Sequence, residues 1–407
     1  MTVPRLKQTE IGEFPEDWEI APLSELVSKM ASGGTPLISI KEYYNGNIPF
    51  AKIEDLTRTQ KYVSQTETSI SKNGLENSAA WVVPSNSILY SIYATLGEAR
   101  ITNVPMATNQ AILAIIPKAE RVYCEFLFYY LSSLKGKLTK FHKETTQKNL
   151  TKQSVKSFPI PLPPLPEQQK IASVLTTADD AIEKTRGIVE QLKQVKKGLM
   201  QELLTKGIGH KKFKEIEIGE IPEEWDILML EDLCDNLDFM RKPITRAKRE
   251  HGDTPYYGAM GVQDYVSGYI FDEDLLLVAE DCGEYGNFGQ KAYSISGKSW
   301  VNNHAHILRC RNIDLGYLEN ELNYLDISRF INTGNRDKLN KSTLDKIPIP
   351  IPSKSEQKKI ATILATADAN IESEIQKCSR LETLKKGLMQ DLLTGHVRFP
   401  EFIKGAK

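Results

Sequence analysis

Two groups of basic and polar residues have the composition of a DNA-binding surface. The segment 135–156 contains seven lysines and a single acidic residue, Glu144, and a second group has five basic residues within nine positions, close before Tyr256. Lysine and arginine neutralise phosphates, and Gln, Asn, Arg and Tyr can hydrogen-bond to base edges. We therefore predict contacts with DNA in both halves of the chain. The candidate residues are Thr145, Thr146, Gln147, Lys148, Lys242, Arg246, Lys248 and Arg249, followed by Tyr256, Gln290, Asn303 and His304.

One pair of histidines has a spacing that could bind a metal. His304 and His306 alternate along the chain, so they could share one face of a strand, and Cys310 is nearby. No carboxylate or thiol stands at a supporting spacing, and the similar place in the first half, Thr108-Asn-Gln-Ala111, has no histidine. The pattern therefore favours polar residues at a strand end over a metal site.

Motifs that bind nucleotides or methyl donors are missing from the sequence. The glycine-rich segments 32–36 and 286–289 are not followed by Gly-Lys-Ser/Thr, so neither is a P-loop. We also find no GxGxxG and no Asn/Asp-Pro-Pro-Tyr/Phe, the motif with which an amino-methyltransferase holds its target base. The sequence predicts a chain without a catalytic site, cofactor or metal of its own.

The composition limits the class of protein. Lys and Arg number 52 against 53 Asp and Glu, which excludes a uniformly basic nucleic-acid coat but allows local basic patches. No apolar run approaches the roughly 18 residues of a membrane span, and the N-terminus lacks the apolar core of a signal peptide. The five cysteines are scattered without a CxxC pair, as is typical of reduced thiols. We therefore expect a cytoplasmic protein that does not contact membranes.

The chain contains two copies of a shared frame. One segment recurs 207 residues later and two others recur 189 residues later, without gaps. Residues 27–145 and 234–335 show little match, so each half holds a divergent insert within the frame. The matched segments are Ile11–Leu26 with Ile218–Leu233, Pro159–Ala172 with Pro348–Ala361, and Lys196–Thr205 with Lys385–Thr394.

Each half is predicted to end in a helix of about 39 residues. A proline-rich extended segment precedes each helix, so Pro166 is expected at the first helical position of one copy and Ser355 as the N-cap of the other. Apolar residues then recur at alternating spacings of three and four, which is typical of a coiled coil. The predicted seam consists of Ile171, Leu175, Ile182, Leu192, Ile360, Leu364, Ile371 and Leu381.

The apolar spacing changes near the end of each helix. Val195 with Leu199, and Leu384 with Leu388, are predicted to continue the seam there. This interpretation leaves Lys196 and Lys385 outside the seam.

Chain connectivity predicts the direction of the two helices. Each helix spans roughly 60 Å, and the second insert leaves the first helix near Thr205 and enters the second near Pro348. A compact domain of this size has a radius of gyration of only about 14 Å, so it could not bridge the ends of a parallel pair. The predicted fold class is therefore α+β, with two mixed α/β globular domains separated by two long helices that form an intramolecular antiparallel coiled coil with pseudo-two-fold symmetry.

We predict two recognition domains, each followed by a helical region. The inserts are expected to contain strands at Ser87–Tyr93, Ala111–Ile116 and Leu275–Ala279 and from His306 onward, and a helix at Glu125–Leu134. The predicted domain bounds are 1–158, 159–206, 207–347 and 348–407.

This alternation of two divergent inserts with two near-identical helices resembles the specificity subunit of type I restriction-modification systems. The segments 161–172 and 350–361 open the helices with a proline-rich motif that ends in Ile-Ala, and Leu-Leu-Thr closes them. The resemblance covers nearly the whole chain. Within the inserts, Ser32–Pro36 with Tyr44–Phe50 is similar to one common type of target recognition domain, and Arg241–Pro243 with Thr254–Ala259 and Asn302–His304 is similar to another.

The resemblance implies a DNA-binding subunit without catalysis of its own. Each recognition domain would read one half of an asymmetric bipartite target in double-stranded DNA, and the coiled coil would set the unread gap. The helices would bind two modification subunits, which methylate adenine with S-adenosylmethionine. Restriction subunits would add cleavage with ATP and Mg. These cofactors would therefore belong to the partner subunits.

Two other classes of function stay open on the residues alone. A self-contained DNA-modifying or DNA-cleaving enzyme would need a metal or methyl-donor site, which the sequence does not show. A coiled-coil adaptor without a nucleic-acid role would leave both basic groups as solvated faces, which are common on proteins.

Overall fold

The computed structural model describes residues 5–136, 138, 150–216, 218–281, 283–332 and 337–403. It divides into two compact units. The first comprises the residues up to Lys184 and those from Cys378 onward, and the second comprises Thr185–Lys377. Each unit thus contains one insert and parts of both long helices. Among the described residues, no helix has the length and apolar composition needed to cross a membrane.

The first unit combines a five-stranded and a three-stranded sheet with two short strand pairs. Its strands are β1 (Leu6–Thr9), β2 (Gly12–Pro15), β3 (Glu19–Pro22), β4 (Val27–Ser32), β5 (Tyr44–Ala51), β6 (Tyr62–Val63), β7 (Thr68–Ile70), β8 (Ile88–Ser91), β9 (Ala99–Thr102), β10 (Ala107–Thr108), β11 (Ile112–Pro117) and β12 (Pro159–Leu162). The helices up to the shared one are α1 (Ile53–Arg58), α2 (Lys72–Glu76), α3 (Cys124–Leu134), α4 (Lys152–Lys156) and α5 (Leu165–Thr205). The sheet orders are β4-β11-β8-β9-β6 and β10-β5-β7.

The second unit contains two four-stranded sheets and three short strand pairs. Its strands are β13 (Phe213–Ile216), β14 (Gly219–Pro222), β15 (Asp226–Met229), β16 (Cys234–Asn236), β17 (His251–Gly258), β18 (Gly261–Val266), β19 (Phe271–Asp272), β20 (Leu275–Ala279), β21 (Ala292–Ile295), β22 (Lys298–Val301), β23 (Ala305–Cys310), β24 (Ile331–Asn332), β25 (Lys338–Leu339) and β26 (Pro348–Ile351). Its further helices are α6 (Leu230–Leu233), α7 (Leu315–Tyr324), α8 (Lys341–Leu344) and α9 (Lys354–Thr394). The sheet orders are β16-β23-β20-β21 and β18-β17-β22-β19.

The two inserts share a strand topology although their sequences diverge. The order β4-β11-β8-β9 of the first unit corresponds to β16-β23-β20-β21 of the second, with antiparallel neighbours throughout. In the smaller sheets, β10-β5-β7 corresponds to β22-β17-β18, and each begins with a parallel pair and continues with an antiparallel one. The mixed α/β class and the predicted strands and helix of the inserts are thus confirmed.

Both shared helices form as predicted, with 41 residues each, but they begin slightly earlier than the expected positions. Pro166 is the second residue of α5. In α9, Ser353 and not Ser355 takes the capping place, because the Ser353 hydroxyl accepts from the backbone N–H of Glu356 at 3.3 Å. Ser355 lies within the first turn of the helix.

A glutamine of the repeated motif fixes the start of each long helix. The Gln168 amide donates to the Pro163 carbonyl at 2.8 Å and accepts from the backbone N–H of Tyr123, the residue before α3, at 2.8 Å. Gln357 makes the same two contacts in the second unit, at 2.9 Å each, with the lead-in proline and with the residue before α7. Each glutamine therefore joins a long helix to its lead-in strand and to the insert.

Within each unit, the start of one long helix packs against the end of the other. This is the antiparallel packing predicted from chain connectivity. Of the predicted seam residues nearer the middle of the helices, Ile182 is buried, and the other three are half-buried: Leu192, Ile371 and Leu381. The residues that share a core are Ile171 and Leu175 with Leu392 and Leu393 in the first unit, and Ile360 and Leu364 with Leu203 and Leu204 in the second.

The predicted continuation of the seam is wrong for Val195 and Leu384 but holds for Leu199 and Leu388, which are half-buried and pack against the two cores. The side chains of Val195 and Leu384 are 56% and 57% exposed. Those of Lys196 and Lys385 are only 24% and 26% exposed, so the lysines occupy the seam positions. A lysine can do this because its aliphatic stem covers apolar surface while its ammonium stays at the edge. The prediction treated only apolar residues as seam residues.

Each seam lysine forms an ion pair with the opposite helix. Lys196 of α5 lies 2.6 Å from Asp368 of α9 in the second unit. Lys385 of α9 pairs with Asp179 of α5 in the first unit. Both the lysines and the aspartates are related by the 189-residue repeat. The duplicated sequence thus places the same cross-helix pair in each unit.

The core of the second unit encloses a carboxyl group. Glu321 of α7 is fully buried, the Tyr317 hydroxyl lies 3.4 Å from its Oε2, and its Oε1 has no hydrogen-bond partner among the described residues. Burial raises the pKa of Glu321 to about 8, although the Tyr317 hydroxyl lowers it somewhat. The folded chain therefore keeps this carboxyl protonated at neutral pH.

We expect the cross-helix pair Lys196–Asp368 to contribute about 1 kcal/mol of coupling free energy, because both groups are partly exposed. The substitution K196D should destabilise the second unit, and the double variant K196D/D368K should recover most of the loss. A double-mutant cycle on urea unfolding measures the coupling. The exposed pair Lys193–Glu190 within α5 is the matched control and should give less than about 0.5 kcal/mol. Equal coupling in both cycles would contradict a specific role for the seam pair.

Glu321 should make the second unit less stable as pH rises. The pKa of Glu321 is 4.5 in the unfolded chain and about 8 in the folded chain. Between pH 4.5 and about pH 8, the folded chain therefore holds a proton that the unfolded chain has lost. The free energy of unfolding should fall by roughly 1.4 kcal/mol per pH unit in this range. The substitution E321Q should remove this dependence, whereas E319Q on the same helix should retain it. Hydrogen exchange of α7 amides at pH 5 and pH 8 measures the effect. Identical pH dependence in E321Q and the unsubstituted chain would contradict it.

Candidate nucleic-acid interface

The basic residues of the second insert lie on a loop between β16 and β17, residues 237–250, which we call the basic loop. Lys242, Arg246 and Lys248 expose their side chains to solvent. Arg241 and Arg249 are largely enclosed instead. The structure therefore separates the predicted cluster into three outward and two inward basic residues.

Arg241 belongs to a charged network beneath the basic loop. Its guanidinium pairs with Glu280, which follows β20, and lies 3.5 Å from Asp238. Lys338 of β25 contacts the same Glu280 at 2.6 Å, and His306 of β23 contacts Asp238 at 2.6 Å. The network joins the basic loop to three strands that lie far apart in sequence.

The network lowers the pKa of both of its carboxyl groups. Burial raises the pKa of Asp238, but the hydrogen bond and charge of His306 outweigh this effect and hold that pKa below its ordinary value. Burial also raises the pKa of Glu280, and the hydrogen bonds from Lys338 and Arg241 outweigh it in the same way. Both groups are therefore carboxylates at neutral pH, and they neutralise the basic residues around them.

The two histidines that resembled a metal pair bind separate carboxylates. His306 Nε2 lies 2.8 Å from the Leu339 carbonyl, and its Nδ1 lies 2.6 Å from Asp238. His304 Nδ1 lies 2.8 Å from Asp281. Within the part of the chain that the structure describes, no group of three or more His, Cys, Asp or Glu side chains could hold a metal ion.

Arg249 and Tyr256 hold the other end of the basic loop. Arg249 pairs with Asp264 of β18 at 3.0 Å, and its guanidinium lies 4.3 Å from the centre of the Tyr256 ring. Tyr256 is buried, and its hydroxyl accepts from the backbone N–H of Ile244 at 3.0 Å. These two residues therefore position the loop, and their polar groups bind within the protein.

Gln290, Asn303 and His304 lie at the same edge of the β16-β23-β20-β21 sheet as the basic loop. Gln290 comes just before β21, and the other two come just before β23. Arg241 ties the loop to this edge, since it donates to the carbonyl of the residue after His304 at 3.2 Å. Gln290 and Asn303 are exposed and His304 is half-buried. The structure thus places these three candidates beside the start of the basic loop, at one sheet edge.

Lys291 fixes the loop that carries Gln290. Its ammonium is buried and lies 2.9–3.2 Å from four backbone carbonyl oxygens, which share its three N–H donors: one from Gly286 in that loop and three at the end of α7. Burial lowers the pKa of Lys291 to about 8. The charge is therefore held by carbonyl dipoles, which attach the loop to α7.

The first unit has an equivalent sheet edge. Its loop 33–40 follows β4 as the basic loop follows β16. A methyl group on Gly33 would lie 1.8 Å from the Thr108 carbonyl oxygen, so the loop needs glycine there for close approach. The Thr35 hydroxyl donates to the Gln110 side chain at 2.5 Å. Polar groups from two separate segments thus meet at this edge.

The candidates of the first half lie outside the described residues. Leu150, the first described residue after them, donates from its backbone N–H to the carbonyl of Ile92 at the end of β8, at 3.1 Å. Leu150 therefore lies at the end of β8 that borders the equivalent sheet edge of the first unit. The candidates concerned are Thr145, Thr146, Gln147 and Lys148.

Sequence reasoning missed the residues that position the candidates. Glu280 is 39 residues from Arg241 in the chain, and nothing in its spacing identifies it as a partner. Lys291 belongs to no basic cluster or motif, so the sequence did not identify it as a residue that positions the loop. Thr35 belongs to the glycine-rich segment that the sequence did single out, so that segment was a usable signal.

Similarity to known proteins agrees with this geometry. The family model of the type I restriction modification DNA specificity domain matches residues 15–194 and 222–383, more than half of the chain. The type I restriction enzyme MjaIX specificity subunit of Methanocaldococcus jannaschii is 31% identical over 56% of this chain and 54% of that protein. The MjaVIII specificity subunit of the same organism is 27% identical over 94% of each chain.

Among solved structures, the fold is similar to that of the S subunit of a type I restriction-modification system from M. genitalium. The TM-score is 0.60 with 16% identity, over 96% of this chain and 99% of that chain. The chain therefore belongs to the family of type I restriction-modification specificity subunits, as its repeated frame predicted.

Proposed function

We propose that this chain recognises an asymmetric, bipartite sequence in double-stranded DNA, with one half-site for each unit. The observation that carries the proposal is the repeated frame, which presents two unlike sets of loops at equivalent sheet edges. Identical loops would suit a palindrome, whereas different loops suit two different half-sites. The continuous long helices would set the length of the unread gap between them.

The second unit has the chemistry for both parts of DNA recognition. Lys242, Arg246 and Lys248 extend outward and would neutralise phosphates, which supplies affinity without sequence information. The exposed amides of Gln290 and Asn303 can donate and accept at base edges, which supplies specificity. We propose that Arg249 and Tyr256 act by positioning the basic loop.

We propose that catalysis belongs to the partner subunits. Two modification subunits would bind the long helices and methylate adenine with S-adenosylmethionine, and restriction subunits would cleave DNA with ATP and Mg. The near-neutral charge of this chain supports shared binding, in which DNA is enclosed by this chain and its partners together.

Neutralising the outward residues of the basic loop should weaken DNA binding uniformly across sequences. The triple variant K242Q/R246Q/K248Q should lower affinity at low salt, and the slope of log K against log salt should fall by up to about 0.9 for each phosphate that is no longer neutralised. Gel shifts of the complex with its modification subunit, over a salt series, measure both quantities. The matched control K206Q/K211Q/K212Q removes the same charge from the connection after α5 and should have little effect. Equal losses in the two variants would contradict a specific role for the basic loop.

Exchange of one insert should change one half-site only. If residues 27–145 are replaced by the corresponding insert of another family member, the half-site read by the first unit should change and the other half should be retained. Methylation-sensitive sequencing of host DNA with and without the hybrid gene reports both halves. A hybrid that alters both halves of the methylated sequence would refute independent reading by the two units.

A further inference from the structure

Cys234 and Cys310 face each other across neighbouring strands of the second unit. Cys234 begins β16, Cys310 ends β23, and the two residues are register partners in the antiparallel pair. Their sulfur atoms are 3.7 Å apart, with the Cys234 thiol donating to the Cys310 sulfur, although 76 positions separate them in the chain. The fold therefore brings two distant thiols into direct contact.

The hydrogen-bond pattern of this ladder favours a bond between them. The backbone N–H of Arg311 donates to the carbonyl of Leu233, and that of Leu237 donates to the carbonyl of Ile307. These bonds fall on alternate register pairs and make Cys234–Cys310 a non-hydrogen-bonded pair. Such pairs have Cα atoms about 4.5 Å apart, which is within the range that a disulfide spans. The backbone separation therefore suits a disulfide, for which the sulfurs would have to approach from 3.7 Å to about 2.05 Å.

The two thiols differ in accessibility and in acidity. Cys234 is buried beside a cleft of about 490 Å³, and Cys310 is partly exposed. The hydrogen bond from Cys234 holds the pKa of Cys310 below its ordinary value, although burial opposes this effect. The same hydrogen bond, together with burial, raises the pKa of Cys234. Cys310 is therefore the thiol with the greater thiolate character, and the one that solvent reaches.

We propose that Cys234 and Cys310 form a reversible redox site that a peroxide converts into a disulfide. The Cys310 thiolate attacks the peroxide, which forms sulfenic acid and releases hydroxide. The Cys234 sulfur then attacks the sulfenic sulfur, the S–S bond forms, and the hydroxyl group leaves as water with the Cys234 proton. Two thiols lose two electrons, and the peroxide gains them. A thiol reductant reverses the step.

The disulfide would fix β16 to β23 at the point where the chain enters the basic loop. β16 ends at Asn236, and the basic loop begins at the next residue. The strands are already paired, so the bond needs no rearrangement of the sheet. It would restrict the unfolded chain and limit opening of β16 from the sheet.

The test uses the reduced full-length chain and hydrogen peroxide, followed by alkylation and peptide mapping without reduction. We expect a mass loss of two hydrogens, a peptide pair that links Cys234 to Cys310, and full reversal by dithiothreitol. Both C234S and C310S should abolish the link, and C234S should leave a sulfenic acid on Cys310 that dimedone traps. The matched control C378S, which removes a cysteine from α9, should form the link as the unsubstituted chain does.

Thermal unfolding gives an independent readout. The oxidised chain should unfold several degrees above the reduced chain, on the order of 5–10 °C, and C234S should lose this difference. A native chain in which Cys310 is over-oxidised while Cys234 stays free, or in which either thiol links to a different cysteine, would overturn the proposal. So would a C234S variant that keeps the full redox-dependent shift.

Discussion

The joint at the start of each long helix is the interaction on which the rest of the structure depends. In the first unit, Gln168 binds the proline lead-in and the residue before α3, and the neighbouring buried Glu167 binds Arg398, which follows α9, at 2.7 Å. These two adjacent side chains therefore connect the segments around Tyr123, Pro163 and Arg398, which lie far apart in the chain. A buried amide or carboxylate left without its partner costs about 1–3 kcal/mol or more, so these contacts depend on one another. The second unit repeats the joint with Glu356, which lies 3.0 Å from His210 after α5.

This joint separates the part of each unit that gives stability from the part that varies. The short strands of the frame, the lead-in and the long helices repeat in sequence, because the same contacts must form twice. The inserts keep only the sheet order, and their recognition loops follow the same strands, β4 and β16, with unrelated residues. Loops at a sheet edge can change composition without disturbing the core beneath them. A frame of this kind can present two different recognition surfaces on one topology.

Periodicity and repetition predicted the elements of the fold but not the roles of its charged residues. The long helices and the buried strand Leu275–Ala279 follow from local patterns of apolar residues, which reflect the geometry of each element directly. The seam positions of Lys196 and Lys385 could not be recognised, because a pattern of apolar residue types does not count lysine, although the aliphatic part of its side chain can pack in a seam. The inward orientation of Arg241 depends on Glu280, whose position is set only by the sheet. Comparison of the two insert sequences could not show that they share a sheet order, because strand pairing fixes the backbone register and allows many residue types at each position.

The charges of the second unit explain how a chain with a formal net charge of −1 can present a DNA-binding surface. Asp238 and Glu280 neutralise Arg241 beneath the basic loop, and Asp264 neutralises Arg249 at its side. The internal ion pairs thus absorb part of the basic cluster and fix the loop, while the remaining basic side chains stay in solvent. The net charge counts the ion-paired and the solvent-exposed basic residues equally, but a polyanion would contact only the solvent-exposed ones.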